Sequence, residues 1–314
     1  MIVVRFTSGL GNQMFQYSLY SMLKKRYKGI AVKADLTWFY ANSEHQGYEL
    51  SNIFDQNEFF NLDQASILDV FRVTGLIPCF IKGKGAKKLE KFLYYPNRLI
   101  RLFSEKHFKD FRIVQTGFED NNDIWNRINQ IDPNKNWYIT GFFIEEVYYK
   151  DRLDELRVEL QFPNISDCDN RNLLDAIRNT NSVSIHVRRG DYLDEKYNSS
   201  FKSLSSEYYK KAVQYIKGKV EEPVFYIFSD DKEFIEKEFD WLESKRMVNQ
   251  NVGKQSYIDM QLMSECKHNI IANSTFSVWG ALLNRNKDRL VIYPQIYMKE
   301  KDSEVKNIEG WIRL

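Results

Sequence analysis

The strongest constraint in this chain is a repeated alternation of short apolar runs, polar clusters and stretches with helical spacing. Ile2 to Phe6 reads as a buried strand, Met14 to Leu23 as a mostly apolar helix, and Gly29 to Asp35 as the next strand. Such an order implies parallel pairing. Strand-like runs recur at Trp137 to Phe143, Ser182 to Val187, Pro223 to Phe228, Met247-Val248, Asn269 to Ala272 and Arg289 to Tyr293. Helical spacing follows at 145–160, 171–178, 206–217, 232–239, 257–263 and 276–282, and 52–80 reads as largely helical. The 206–217 helix is expected to open on a serine cap. The turn-rich run Pro163-Asn164-Ile165-Ser166-Asp167-Cys168-Asp169-Asn170 divides the chain into 1–165 and 166–314. The expectation is α/β, with two Rossmann-like halves.

One strand carries unusual chemistry. In Ser182-Val183-Ser184-Ile185-His186-Val187-Arg188-Arg189-Gly190-Asp191-Tyr192, the alternation through Val183, Ile185 and Val187 ends on two adjacent arginines. Open α/β sheets bind ligands beyond the carboxyl ends of their strands. Guanidinium forks match phosphate oxygens bidentately, so a strand ending this way is an anion-clamp candidate. The bland alternative is a polar turn with surface ion pairs. Two further strand ends carry Ser229-Asp230-Asp231 and Asn273-Ser274-Thr275. If the sheet is parallel, all three clusters lie on one edge. Arginines, a hydroxyl pair opening a helix and spare carboxylates would suit a nucleoside diphosphate, with a carboxylate accepting from a guanine edge.

Composition removes other classes. A net charge of +2 gives no strong global field for nucleic acid or membrane. Three scattered cysteines, Cys79, Cys168 and Cys266, form no C-x-x-C pair, which argues against a disulfide framework or structural zinc. The opening apolar run is too short for a signal peptide, so a cytoplasmic location is expected. No P-loop, zinc spacing or nucleophile elbow occurs. Asp230-Asp231 is only a weak likeness to the D-x-D of metal-dependent sugar transferases.

Gly9-Leu10-Gly11-Asn12-Gln13 follows the first strand and lacks the third glycine of a dinucleotide fingerprint. It is either a ligand site at a helix start or a tight turn. Residues 82–109 hold nine Lys or Arg, from Lys82 to Lys109, against Glu90 and Glu105, with Leu89, Phe92, Leu93, Tyr95, Leu99, Leu102 and Phe103 interleaved. Two readings stand: a basic amphipathic face for an anionic membrane or lipid-linked acceptor, or a solvated face packed on its apolar side.

Taken together, Gly9-Leu10-Gly11-Asn12-Gln13-Met14-Phe15-Gln16-Tyr17, His186-Val187-Arg188-Arg189-Gly190-Asp191-Tyr192, Phe228-Ser229-Asp230-Asp231 and Asn273-Ser274-Thr275-Phe276-Ser277 resemble the α-1,2-fucosyltransferases in order and approximate spacing. The resemblance implies a GT-B fold with two Rossmann-like domains facing across a cleft, the acceptor side at 1–165 and the donor side at 166–314. It implies inverting transfer from GDP-β-L-fucose to a hydroxyl, typically O2 of a β-galactoside in a surface glycan. It also implies no divalent metal and no cofactor. Arg188 would hold the β-phosphate, with Arg189 beside it, and without a metal these arginines must stabilise the departing diphosphate. His186 and Asp259 would meet the guanosine. Ser274, Thr275 and Ser277 would contact phosphate, while Gly11 and Asn12 would reach the donor from the N-terminal domain. Inversion also needs a base for the acceptor proton. Asp191 is the first candidate, although it could equally brace the arginines; Asp194, Glu195, Glu44 and His45 are the others.

Overall fold

The computed structural model describes residues 1–42, 45–108, 112–114, 122–189, 203–295 and 308–314. The chain forms two compact units, Met1–Pro163 and Asn164–Leu314.

The first unit is built on β1 (Ile2–Arg5), β2 (Val32–Asp35), β3 (Arg112–Val114) and β4 (Trp137–Thr140). They form one sheet in the order β2-β1-β4-β3, with every neighbour parallel. Its helices are α1 (Leu10–Arg26), α2 (Trp38–Ala41), α3 (Leu50–Phe54), α4 (Ile67–Thr74), α5 (Ala86–Phe108), α6 (Asn122–Asn129) and α7 (Leu153–Glu159). α1 is buried on nearly every side from Leu10 to Leu23, which accounts for its weak amphipathic pattern. α4 has a capping box, Ser66 with Asp69, and ends on Gly75 in the left-handed region at φ 66°. Its Val70 and Val73 pack on Val3 and Tyr138 of the sheet.

Two stretches are less helical than their spacing predicts. Between Asn52 and Phe80 only the end of α3 and α4 are helical. The reason is local: Asn57 Oδ1 accepts from Phe59 N at 3.0 Å, and its amide donates to the carbonyls of Val158 and Glu159 at 2.6 and 3.0 Å. Within 145–160, two 3₁₀ turns (Glu146–Tyr148 and Lys150–Arg152) precede the short α7. There Arg152 is drawn inward to Ser21 Oγ at 3.0 Å and Glu159 at 3.1 Å. β3 and α6 are not foreseen from the sequence pattern.

The second unit contains β5 (Asn181–Val187), β6 (Pro223–Ser229), β7 (Lys245–Val248), β8 (His268–Ile270), β9 (Val291–Tyr293) and β10 (Ile312–Arg313), in the order β10-β9-β8-β5-β6-β7. All pairings are parallel. Its helices are α8 (Cys168–Arg178), α9 (Ser206–Lys217), α10 (Lys232–Glu238), α11 (Tyr257–Glu265) and α12 (Thr275–Leu283). β5 is buried from Ser182 to Val187, as a central strand covered on both faces must be. Val183, Ile185 and Val187 share a core with Phe225, Ile227 and α9. The expected serine cap of α9 is absent: Ser205 makes no capping bond, and Ser206 Oγ donates to Glu238 at 2.7 Å.

Candidate functional site

β5 lies between β8 and β6 in a parallel sheet, so the three polar strand ends share one edge. Val187 is in register with Ser229, which carries Arg188 and Arg189 alongside Asp230 and Asp231. The carboxylates there are not spare. Asp230 accepts from Arg189 N at 3.1 Å and stands 3.4 Å from Arg188 Nη1. Asp231 receives Arg189 Nε at 3.0 Å and caps α10 by accepting from Phe234 N at 2.9 Å. These donors hold the Asp231 carboxyl below the ordinary range, the cap bond first. The Arg189 guanidinium also lies 3.8 Å from the Phe234 ring centroid, a cation–π contact. Arg189 is thus fixed from two sides. Arg188 meets Asp230 at the longer distance, 3.4 Å against 3.0 Å for Arg189 and Asp231.

His186 is buried, with its ring tilted against Phe276 at 5.7 Å. Its carbonyl accepts from Tyr209 Oη at 3.2 Å. Gly190, Asp191, Tyr192, Asp194 and Glu195 lie outside the described residues, as does Glu44.

Asp259 sits in the first turn of α11, half-buried, and accepts from Asn251 Nδ2 at 2.7 Å. Burial pushes its carboxyl up from 3.8 to about 7. Asn251 exchanges amide bonds with Asn170 at 2.7 and 3.0 Å, and Asn170 bonds Asp167, the cap of α8. This chain of amides is continuous from one helix start to another, and no sequence spacing announces it.

α11 packs directly on α12. A side chain at Gly280 would put its Cβ 3.1 Å from Met263 Cβ, so the glycine permits the close approach. α12 begins after Asn273-Ser274, with Ser274 at the cap position but no side-chain capping bond. The expected phosphate group divides here. Ser274 and Thr275 are half-buried at the helix start, where backbone N–H groups favour anions. Asn273 and Ser277 are each 1% exposed, and Ser277 Oγ binds Ala272 N at 3.2 Å and faces Ser274 O at 3.2 Å. In the described structure Ser277 shapes the turn.

In the first unit, α1 starts at Leu10, so Gly11 and Asn12 belong to its first turn; the tight turn is Ser8-Gly9. Two glutamines of the Gly9–Tyr17 motif, Gln13 and Gln16, build this corner. Gln13, fully buried, donates to Ser8 O and Gly47 O at 2.8 Å each and accepts from Glu49 N at 2.9 Å. Gln16 accepts from Thr7 N at 2.9 Å and donates to Gly141 O at 3.0 Å. The loops after β1, β2 and β4 are thereby laced together. Backbone strain collects at the same corner: Ser8, His45 and Phe143 have φ of 65°, 57° and 55°. His45, exposed, lies over Gly9, where a Cβ would be 3.0 Å from its ring. Glu49 is buried beside the Leu10 backbone, and burial raises its carboxyl to about 7. Among the described residues, no three His, Cys, Asp or Glu side chains converge as a metal site would require.

Two parallel α/β units, with paired arginines at a central strand end, have the architecture of the GT-B fold. The solved fucosyltransferase NodZ from Bradyrhizobium has the same fold, with a TM-score of 0.50 and 12% identity over 90% of this chain and 93% of that one. The chain belongs to glycosyl transferase family 11, which matches it over residues 1–314. It is 30% identical to an alpha-1,2-colitosyltransferase of Escherichia coli over 100% of this chain and 99% of that one. It is 29% identical to the O-antigen biosynthesis glycosyltransferase WbnK of Escherichia coli, over 98% of both. A galactoside alpha-(1,2)-fucosyltransferase 1 from Leontocebus fuscicollis shares 32% identity over 104 residues, which is 32% of this chain and 28% of that one.

Proposed function

We propose that this glycosyltransferase moves L-fucose from GDP-β-L-fucose, with inversion, to O2 of a β-galactoside in a surface glycan. The observation that carries this is the arginine pair at the end of β5, held ready by Asp230 and Asp231. In this reading Arg188 exchanges its long contact with Asp230 for the β-phosphate. As the sugar–oxygen bond breaks, the diphosphate gains charge that this fixed cation stabilises. The start of α12, with Ser274 and Thr275, adds backbone donors to phosphate. Asp259, ionised, accepts from the guanine N–H groups, and His186 with Phe276 forms the wall beside the nucleoside. Asp191 takes the acceptor proton. The division 1–165 and 166–314 then separates acceptor from donor handling.

The test is product analysis with GDP-fucose and a panel of β-galactosides. A fucosylated product with an α-1,2 linkage is expected. Faster turnover with a UDP-sugar or GDP-mannose would overturn the reading.

The colitosyltransferase relative favours one second reading. Colitose is fucose without its 3-hydroxyl, so the same arginine clamp would serve, and a direct competition between the two GDP-sugars decides. We also infer that the reaction runs on the cytoplasmic side and that α5 meets an anionic membrane surface there. What supports this is α5, where Phe92, Tyr95 and Leu99 are 72%, 70% and 61% exposed among Lys87, Lys88, Lys91 and Arg98.

A further inference from the structure

The first unit contains a pocket of about 340 Å³ that the donor chemistry does not use. It lies at the carboxyl ends of β1 and β2, on the sheet face that α4 covers, with residues of α5 along it. Arg5 ends β1 two residues after Val3, so its side chain leaves the same face. Arg5 Nε is buried without a hydrogen-bond partner, and among the described residues the guanidinium makes no ion pair.

The natural partner is adjacent but engaged elsewhere. Asp35 is in register with Arg5 and 1% exposed. Its Oδ1 accepts from Thr37 N at 2.9 Å and Thr37 Oγ1 at 2.7 Å, and its Oδ2 accepts from Tyr138 Oη at 2.7 Å. The sheet edge thus satisfies the Asp35 carboxylate internally and leaves the Arg5 cation on the pocket, whose lining also includes Glu90 and Arg98, neither ion-paired to Arg5 among the described residues. An unmatched buried donor is unfavourable, more so for a charged group, unless a ligand supplies an acceptor. The remaining lining says what kind of ligand. Trp38 and Tyr94 present aromatic surface, and Tyr94 is 60% exposed. Asn97 is tied to the backbone of Ile77 by two 2.8 Å bonds, which fixes the wall opposite the sheet. Apolar ring faces beside a cation seeking oxygen are the complement of a pyranose, whose C–H face is apolar and whose rim is hydroxyl.

We propose that this pocket binds one sugar residue of the acceptor glycan, with a hydroxyl or carboxylate oxygen on Arg5 and the ring against Trp38 and Tyr94. This inference deepens the glycosyl-transfer reading and rests on it for the word acceptor. It assigns Arg5 and Tyr94 a specificity role in saccharide binding and no part in the bond-breaking step.

The test uses Arg5→Met, which keeps the stem and removes the donors, and Tyr94→Ala, whose exposed side chain carries little packing. Saccharide binding is read on the resting full-length protein by saturation-transfer NMR, with neutral galactosides in one arm and uronate-containing oligosaccharides in the other. Transfer kinetics and GDP calorimetry follow on the same variants. Expected are loss of the saccharide signal and an acceptor KM raised about tenfold or more in both variants, with GDP affinity unchanged. A preference of the wild type for the acidic arm places a carboxylate on Arg5; equal signals place a hydroxyl there. An unchanged signal and KM in Tyr94→Ala, or no saccharide signal in the wild type, overturns the pocket even if Arg5→Met does not fold. Saccharide binding without transfer from any GDP-sugar would sink the donor reading instead and leave the pocket standing.

Discussion

Asp259→Asn is the perturbation whose outcome can be worked furthest. The carboxyl of Asp259 titrates at about 7 in the folded chain, against an ordinary 3.8, because burial opposes its charge. An acid whose folded midpoint is raised holds its proton more tightly in the folded state. The stability this contributes is fully present below 3.8 and is lost as pH rises through about 7. Each pH interval of one in that window carries about 1.36 kcal/mol, so roughly 2–3 kcal/mol is lost between pH 5 and pH 8. The amide introduced by the substitution does not titrate, and its oxygen can still accept from Asn251. Urea denaturation of the ligand-free proteins at pH 5 and pH 8 measures both. The variant should gain about 2–3 kcal/mol on the wild type between the two conditions. Glu49 titrates in the same range but is present in both proteins and cancels. GDP binding should show the converse, with wild-type affinity rising towards pH 7 relative to the variant, because only the ionised carboxylate accepts two guanine donors. Parallel stability curves would refute the burial argument. Parallel GDP curves would remove Asp259 from guanine recognition.

Three further outcomes are expected. Arg188→Ala should lower kcat about 10²–10³-fold with an unchanged denaturation midpoint, since the side chain meets Asp230 through a long ion-pair contact at a strand end, outside the apolar core; a collapsed fold would contradict the clamp. Gln13→Ala should destabilise the chain by about 2–4 kcal/mol in urea titrations, because three buried backbone groups lose their partner; a change below about 0.5 kcal/mol would mean the loops hold themselves. Replacing Phe92, Tyr95 and Leu99 together by Ser should abolish co-sedimentation with phosphatidylglycerol vesicles and leave turnover on a soluble galactoside unchanged, whereas equal binding to neutral phosphatidylcholine would exclude the electrostatic part.

Much of the architecture is legible because buried parallel strands announce themselves. Val183, Ile185 and Val187 read as a covered strand, and the paired arginines can then fall only at its carboxyl end. Asn52 to Phe80 is not legible, since Asn57 commits its side chain to a distant carbonyl pair and to its own turn, a tertiary choice that periodicity does not record. α5 continues through Pro96, where a break would be read; the carbonyl four residues back belongs to Phe92, exposed where water can take its place. At the site, the cations are visible in the sequence and their partners are not. Asn251 stands in no pattern, and the motif that contains Gln13 and Gln16 does not say what they bind, yet these residues hold three loops and a buried carboxylate in place.

The Arg188–Asp230 and Arg189–Asp231 pairs also decide what the empty site ignores. Two fixed cations with built-in counter-ions present almost no net charge to solution, so inorganic phosphate or a nucleic-acid backbone finds little field to follow. A ligand that takes Arg188 from Asp230 must bring an anion of its own and other contacts besides, while Arg189 stays on Asp231. In the donor reading proposed above, the displaced Asp230 carboxylate stays within reach of Arg188 throughout the reaction. On that reading, once the sugar has left, this carboxylate competes with GDP for the cation and speeds its departure, so the group that discourages the wrong anion also keeps the right one from staying.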